Sequence, residues 1–145
     1  MRILSKGFWM AMVLILLSMA GQAQEALLGD LFSQVFELYG QGRYPEATGV
    51  AKEAVKVAKE TFGQDHPNVG ISLNNLASLY DCQGEYAQSG PLYKRALEIL
   101  EKALGPEHFR VGQVLSNMAE RSRKMGKNDE AERLEARAAK IRANR

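Results

Sequence analysis

Residues 73–86 read LNNLASLYDCQGEY, and the placing of large, small and aromatic residues in that stretch decides the fold. Leu73, Leu76, Ala77 and Tyr80 recur at steps of three and four, so they share one face of an α-helix. Gly84 follows, suited to the left-handed turn that closes a helix. A second apolar stripe then runs through Tyr86, Ser89, Tyr93, Ala96, Leu97, Leu100 and Leu104. Small residues such as Ala77, Ser89 and Ala96 beside large ones are what two antiparallel helices need to approach closely.

The pattern repeats outward from this segment. Gly42, Gly84 and Gly126 stand 42 residues apart, opening GRYPEA, GEYAQS and GKNDEA. Residues 42–83 and 84–125 align without a gap at 11 identities, among them Lys52/Lys94, Ala54/Ala96, His66/His108, Asn75/Asn117 and Ala77/Ala119. A shorter third copy keeps Ala131, Leu134, Ala138 and Ile141 against Ser89, Leu92, Ala96 and Ile99. A period of this length marks a solenoid, whose units bury their apolar faces only by stacking. The expected helices are 25–40, 43–61, 67–82, 85–103, 109–125 and 127–143, with no strand-like alternation.

These residues resemble a tetratricopeptide repeat (TPR). Leu73, Leu76, Ala77 and Tyr80 match its first-helix pattern of large, large, small and aromatic, and Ser89, Tyr93 and Ala96 match its second-helix pattern. The 42-residue period, with LYKRALEILEKALGPEH and FGQDHP, is similar to the kinesin-light-chain type. The resemblance implies an all-α right-handed solenoid of three helix pairs over 25–143, with repeats at about 25–62, 67–104 and 109–143. It loosens at both ends. Gln34 falls where a large apolar residue is expected, and Ser122 and Glu135 replace both aromatic positions of the third repeat, which suggests partly solvated end units.

The resemblance also implies a peptide-binding groove lined by the first helix of each repeat. Matched by position, the first repeat presents Phe32, Ser33, Phe36 and Tyr39, and the second Ile71, Asn74, Asn75, Ser78, Asp81 and Cys82. The third presents Gln113, Ser116, Asn117, Glu120, Arg123 and Lys124. Asn75 and Asn117 occupy the place where many members bond a peptide backbone, a task suited to an amide with donors and an acceptor. The alternative is that they stabilise neighbouring helices. Phe32, Phe36 and Gln113 stand where chaperone-binding members carry a basic clamp, so a chaperone-tail receptor is not expected. An extended peptide with an apolar anchor and an acidic end fits Phe32, Phe36 and Tyr39 at one side and Asn117, Arg123 and Lys124 at the other. The competing reading covers Phe32 and Phe36 with the N-terminal segment or with a second copy of the chain.

The remaining polar residues read as structural. His66 and His108 are equivalent by repeat and precede first helices, where a capping role outweighs catalysis. Cys82 is the one cysteine, which excludes an internal disulfide and a Cys-rich metal site, and it reads as an inert thiol. Arg121, Arg123, Lys124 and Lys127 form a basic cluster near a helix C-terminus, a solvated face by default or a contact for an acidic partner. No catalytic constellation, phosphate loop or metal motif occurs, so no enzyme activity, cofactor or metal is expected.

The first 23 residues stand apart. Arg2 and Lys6 precede an unbroken apolar run from Phe8 to Leu17, followed by Ser18, Met19, Ala20, Gly21, Gln22 and Ala23. This is the layout of a secretory signal peptide with cleavage after Ala23, where Gly21 and Ala23 are the small residues. The alternative is an uncleaved membrane anchor, although the apolar stretch of about 15 residues is short of the ~20 that span a bilayer. Export to a periplasmic or extracellular compartment follows from either. Without residues 1–23 the chain has 17 Lys and Arg against 17 Asp and Glu, but residues 24–120 carry −5 and 121–145 carry +5. An acidic body argues against nucleic-acid binding. A protein or peptide partner is expected, with homo-oligomers open and membrane contact only if the N-terminal segment is retained.

Overall fold

The glycines at the repeat period all take left-handed backbone: φ is +71° at Gly42, +74° at Gly84 and +76° at Gly126. Beside each, the next N–H reaches back to a carbonyl five residues earlier, Arg43 to Leu38 and Glu85 to Tyr80 at 2.9 Å, Lys127 to Ser122 at 2.8 Å. That closure satisfies end carbonyls of the first helix and turns the chain into the second. In the computed structural model, which describes residues 5–144, the resulting helices are α1 (Lys6–Gly40), α2 (Tyr44–Phe62), α3 (Pro67–Cys82), α4 (Tyr86–Leu104), α5 (Phe109–Lys124) and α6 (Asn128–Ala143). No strand occurs among the described residues.

Between repeats a histidine starts the next helix. Nδ1 of His66 accepts from the Asn68 N–H, and Nδ1 of His108 accepts from the Arg110 N–H, each at 3.1 Å. The expected capping role holds at both positions. His66 also stacks on Phe62 with ring centroids 4.3 Å apart, tying the loop to the end of α2.

The helices pack in pairs, α1 on α2, α3 on α4 and α5 on α6, and α2 and α4 carry each pair to the next. Ala54, Ala77, Ala96 and Ala119 lie at these crossings with at most 1% of their surface exposed. A Cβ on Gly70 would stand 2.8 Å from Leu100 Cγ, so α3 and α4 meet closely enough that any larger residue would have to displace the Leu100 side chain. Tyr93 is buried, and its hydroxyl donates to Asp81 Oδ2 at 2.8 Å. Burial first, then the charge of Asp81, holds the Tyr93 phenol far above its usual range.

The structure departs from the sequence expectation in three places, the start of the first helix, Ser122 and Arg121. The first helix begins at Lys6 rather than at residue 25, because residues 18–24 contain no proline and only Gly21 as a breaker, which costs a helix about 1 kcal/mol. The one-residue slip expected of the first helix at Gln34 holds: Gln34 is exposed and Val35 fills the core position. Ser122 is buried rather than solvated, and its hydroxyl has no hydrogen-bond partner among the described residues. Arg121 does not belong to a solvated basic face: it is half-buried, donates to Ser89 Oγ at 3.1 Å and to the Tyr86 carbonyl at 2.9 Å, and fastens α5 to the start of α4.

Candidate peptide-binding groove

Side chains at successive turns of α1, α3 and α5 line two cavities that share four residues: Phe36, Asn74, Asn75 and Asn117. The larger, about 460 Å³, is bounded further by Ile71, Phe109, Arg110, Gln113, Ser116, Ile141 and Arg142. The smaller, about 260 Å³, is completed by Val35, Tyr39, Ser78 and Leu79. Together they make a continuous groove along the first helices. Of the expected groove residues, Phe36, Tyr39, Ile71, Asn74, Asn75, Ser78, Gln113, Ser116 and Asn117 lie on it.

Phe36 stands where the cavities join, with 66% of its surface exposed. A bare aromatic ring at the centre of a groove is an unused apolar contact. Tyr39 packs edge-on against Tyr44 at 5.5 Å between centroids. The Cys82 thiol beside it holds its phenol above the usual range.

The asparagines divide their work. Asn117 Nδ2 donates to Asn74 Oδ1 at 3.1 Å, joining α5 to α3. Asn75 lines both cavities, is half-buried, and makes no side-chain hydrogen bond among the described residues. Its amide donors and acceptor therefore face the groove unused.

Other expected residues lie elsewhere. Phe32 lines a separate cleft of about 290 Å³ with Leu28, Phe62 and Asn68, because its position one turn before Phe36 carries it toward the loop that opens α3. Arg123 and Lys124 line neither main cavity. Arg123 pairs with Glu120 at 3.2 Å and Glu135 at 3.9 Å, and Lys124 pairs with Glu120 at 3.9 Å. Asp81 is buried on Tyr93, with Oδ1 lacking a partner among the described residues. Ser33 is exposed and donates to the Gly29 carbonyl at 3.1 Å.

Two cations on the groove escaped the sequence reading. Arg110 lies over the Phe109 ring at 4.9 Å and donates to Gln113 Oε1 at 3.2 Å. Arg142 donates to Ser116 Oγ at 3.0 Å and pairs with Glu135 behind it. Among the described residues the larger cavity is thus lined by two arginines and by no carboxylate. Position matching within first helices could not place Arg142, which belongs to the second helix of its repeat. Among the described residues no cluster of three or more His, Cys, Asp or Glu is placed to hold a metal ion.

Comparison with known proteins agrees with this architecture. A tetratricopeptide-repeat family model matches residues 36–89 and 82–144. The crystal structure of BtubC (BKLC) from P. vanneervenii superposes with a TM-score of 0.76 at 24% identity, over 84% of this chain and 48% of that one. The chain therefore spans about half the length of that protein. No curated protein sequence matches. Among the described residues six helices stand in glycine-closed pairs at a 42-residue period, and with the family model matched over most of its length the chain belongs to the tetratricopeptide-repeat family.

Proposed function

We propose that this chain is an exported, non-enzymatic scaffold that holds an extended protein segment in the groove of α1, α3 and α5. Tetratricopeptide repeats serve protein interaction, and the observation that carries the finer reading is the unpaired amide of Asn75 beside the exposed ring of Phe36. An apolar side chain of the partner packs on Phe36 and Tyr39, Asn75 bonds its backbone, and acidic residues meet Arg110 and Arg142. The aromatic contact supplies most of the affinity. The arginines set association rate and salt sensitivity, replacing Arg123 and Lys124 in that role.

Residues 1–23 direct export in this account. A second reading, a membrane-anchored subunit assisting assembly of an envelope complex, draws on one observation: α1 is unbroken from Lys6 and is long and apolar enough to cross a membrane. Both readings leave the groove outside the cell membrane.

Selection of a random peptide display library on residues 24–145 tests the groove. Selected peptides carry an aromatic or aliphatic residue and nearby Asp or Glu, and bind Phe36→Ala and Arg110→Glu at least tenfold more weakly. Peptides that bind both variants as tightly as the parent place the binding surface elsewhere.

A further inference from the structure

We infer that the exported chain begins with a pyroglutamyl residue, formed by ring closure of Gln24. The inference rests on the export reading above, with cleavage after Ala23, and adds to it a chemical fate for the new terminus.

Packing and sequence mark the same boundary. From Lys6 to Ala23, α1 is exposed at every residue except the half-buried Gly21, and none of these side chains bonds another helix among the described residues. The first bond from α1 to α2 is at Gln24, whose Oε1 accepts from Thr61 Oγ1 at 3.3 Å, and the first buried residue is Leu28. Among the described residues, removal of the chain up to Ala23 therefore takes away no buried side chain. The small residues Gly21 and Ala23 independently place a signal-peptidase site at that bond. Cleavage needs extended backbone, and Gly21 lowers the cost of opening the helix there.

Hydrolysis leaves Gln24 with a free α-amine, one side chain's length from its own Cδ. The amine attacks Cδ and a five-membered lactam closes. The N–Cδ bond forms, the Cδ–Nε2 bond breaks, and Nε2 leaves as ammonia with a proton drawn from the amine. No oxidant, reductant or other reactant enters. Gln24 is exposed, so the ring has room. Oε1 survives as the lactam oxygen, which keeps the acceptor that Thr61 Oγ1 uses.

The charge change favours the ring in the folded chain. A free ammonium would sit at the N-terminus of the shortened α1, beside unpaired N–H groups and at the positive end of the helix dipole. Closure removes that charge and leaves Glu25, whose sign suits the position, as the first ionised group. It also removes the free amine that aminopeptidases require.

Mass spectrometry of the full-length chain expressed with export, together with amine labelling of the recovered protein before any acid step, tests this. The expected product starts at residue 24, is lighter by one ammonia than the open form, and takes no label at its terminus. The Gln24→Ala variant is cut at the same bond, shows no such loss and takes the label. A chain that starts at Gln24 and still carries a labelled amine after prolonged incubation at neutral pH overturns the ring but keeps export. A start at any other residue past the apolar run overturns the ring and moves the cleavage site. A chain that retains residues 1–23 overturns both.

Discussion

Asn117 donates its side-chain amide to Oδ1 of Asn74 at 3.1 Å, so first helices of successive repeats are joined by a bond between side chains 43 positions apart. Asn75, next to Asn74, has the same chemistry and no such partner among the described residues. Asn117→Ala then strands a half-buried acceptor and lowers stability by about 0.5–1.5 kcal/mol. Asn75→Ala changes stability by less than about 0.5 kcal/mol and acts on binding instead. Urea denaturation of both variants measures the contrast, and equal losses would put Asn75 in the scaffold.

Ala77 and Ala96 have no exposed surface, and Gly70 admits no Cβ without moving Leu100. Leucine at either alanine overpacks the α3–α4 crossing and costs about 1–3 kcal/mol, and Gly70→Ala falls in the same range. Thermal melts report it. Parent-like melting of both leucine variants would mean that the helix faces are assigned wrongly.

Tyr93 makes stability fall at alkaline pH. Its phenol is raised in the folded chain, so protons are held more tightly there than in the unfolded chain. That contribution is complete below the ordinary phenol pKa of about 10 and is lost as pH rises above it. Tyr93→Phe removes this residue's share of the alkaline slope. At neutral pH it also costs about 1–3 kcal/mol, since Asp81 then has neither carboxyl oxygen bonded. Denaturation at pH 7 and above pH 10 separates the two effects.

His66 and His108 each cap a first helix through Nδ1. Alanine at either should cost about 0.5–2 kcal/mol, and the two losses should add because the sites lie a full repeat apart. A strongly non-additive double variant would show that the loops are coupled.

The solenoid was legible because the 42-residue period reports the same buried face more than once: Ala54 and Ala96 occupy one crossing in two copies, and His66 and His108 one cap. The groove was legible at Phe36, Tyr39 and the asparagines for the same reason. Features without a repeated counterpart were not. Arg142 reaches the groove from a second helix, and Arg121 turns inward to Ser89, contacts set by long flexible side chains rather than by helix period. Arg123 and Lys124 were misplaced because their neutralisation by Glu120 and Glu135 depends on which rotamers meet, not on spacing alone. The continuous α1 escaped because a segment read for targeting gives no sign of whether its helix runs on into the fold.

Everything proposed for this chain turns on whether a partner segment lies in the groove of α1, α3 and α5. The decisive experiment places a photo-crosslinking residue at Phe36 in the full-length chain expressed with its N-terminal segment, with a second variant carrying it at Lys94 on the exposed side of α4. The expected result is a covalent adduct at Phe36 with a segment rich in Asp or Glu beside an apolar residue, weakened by Arg110→Glu, and none at Lys94. Adducts at Lys94 with none at Phe36 would contradict it.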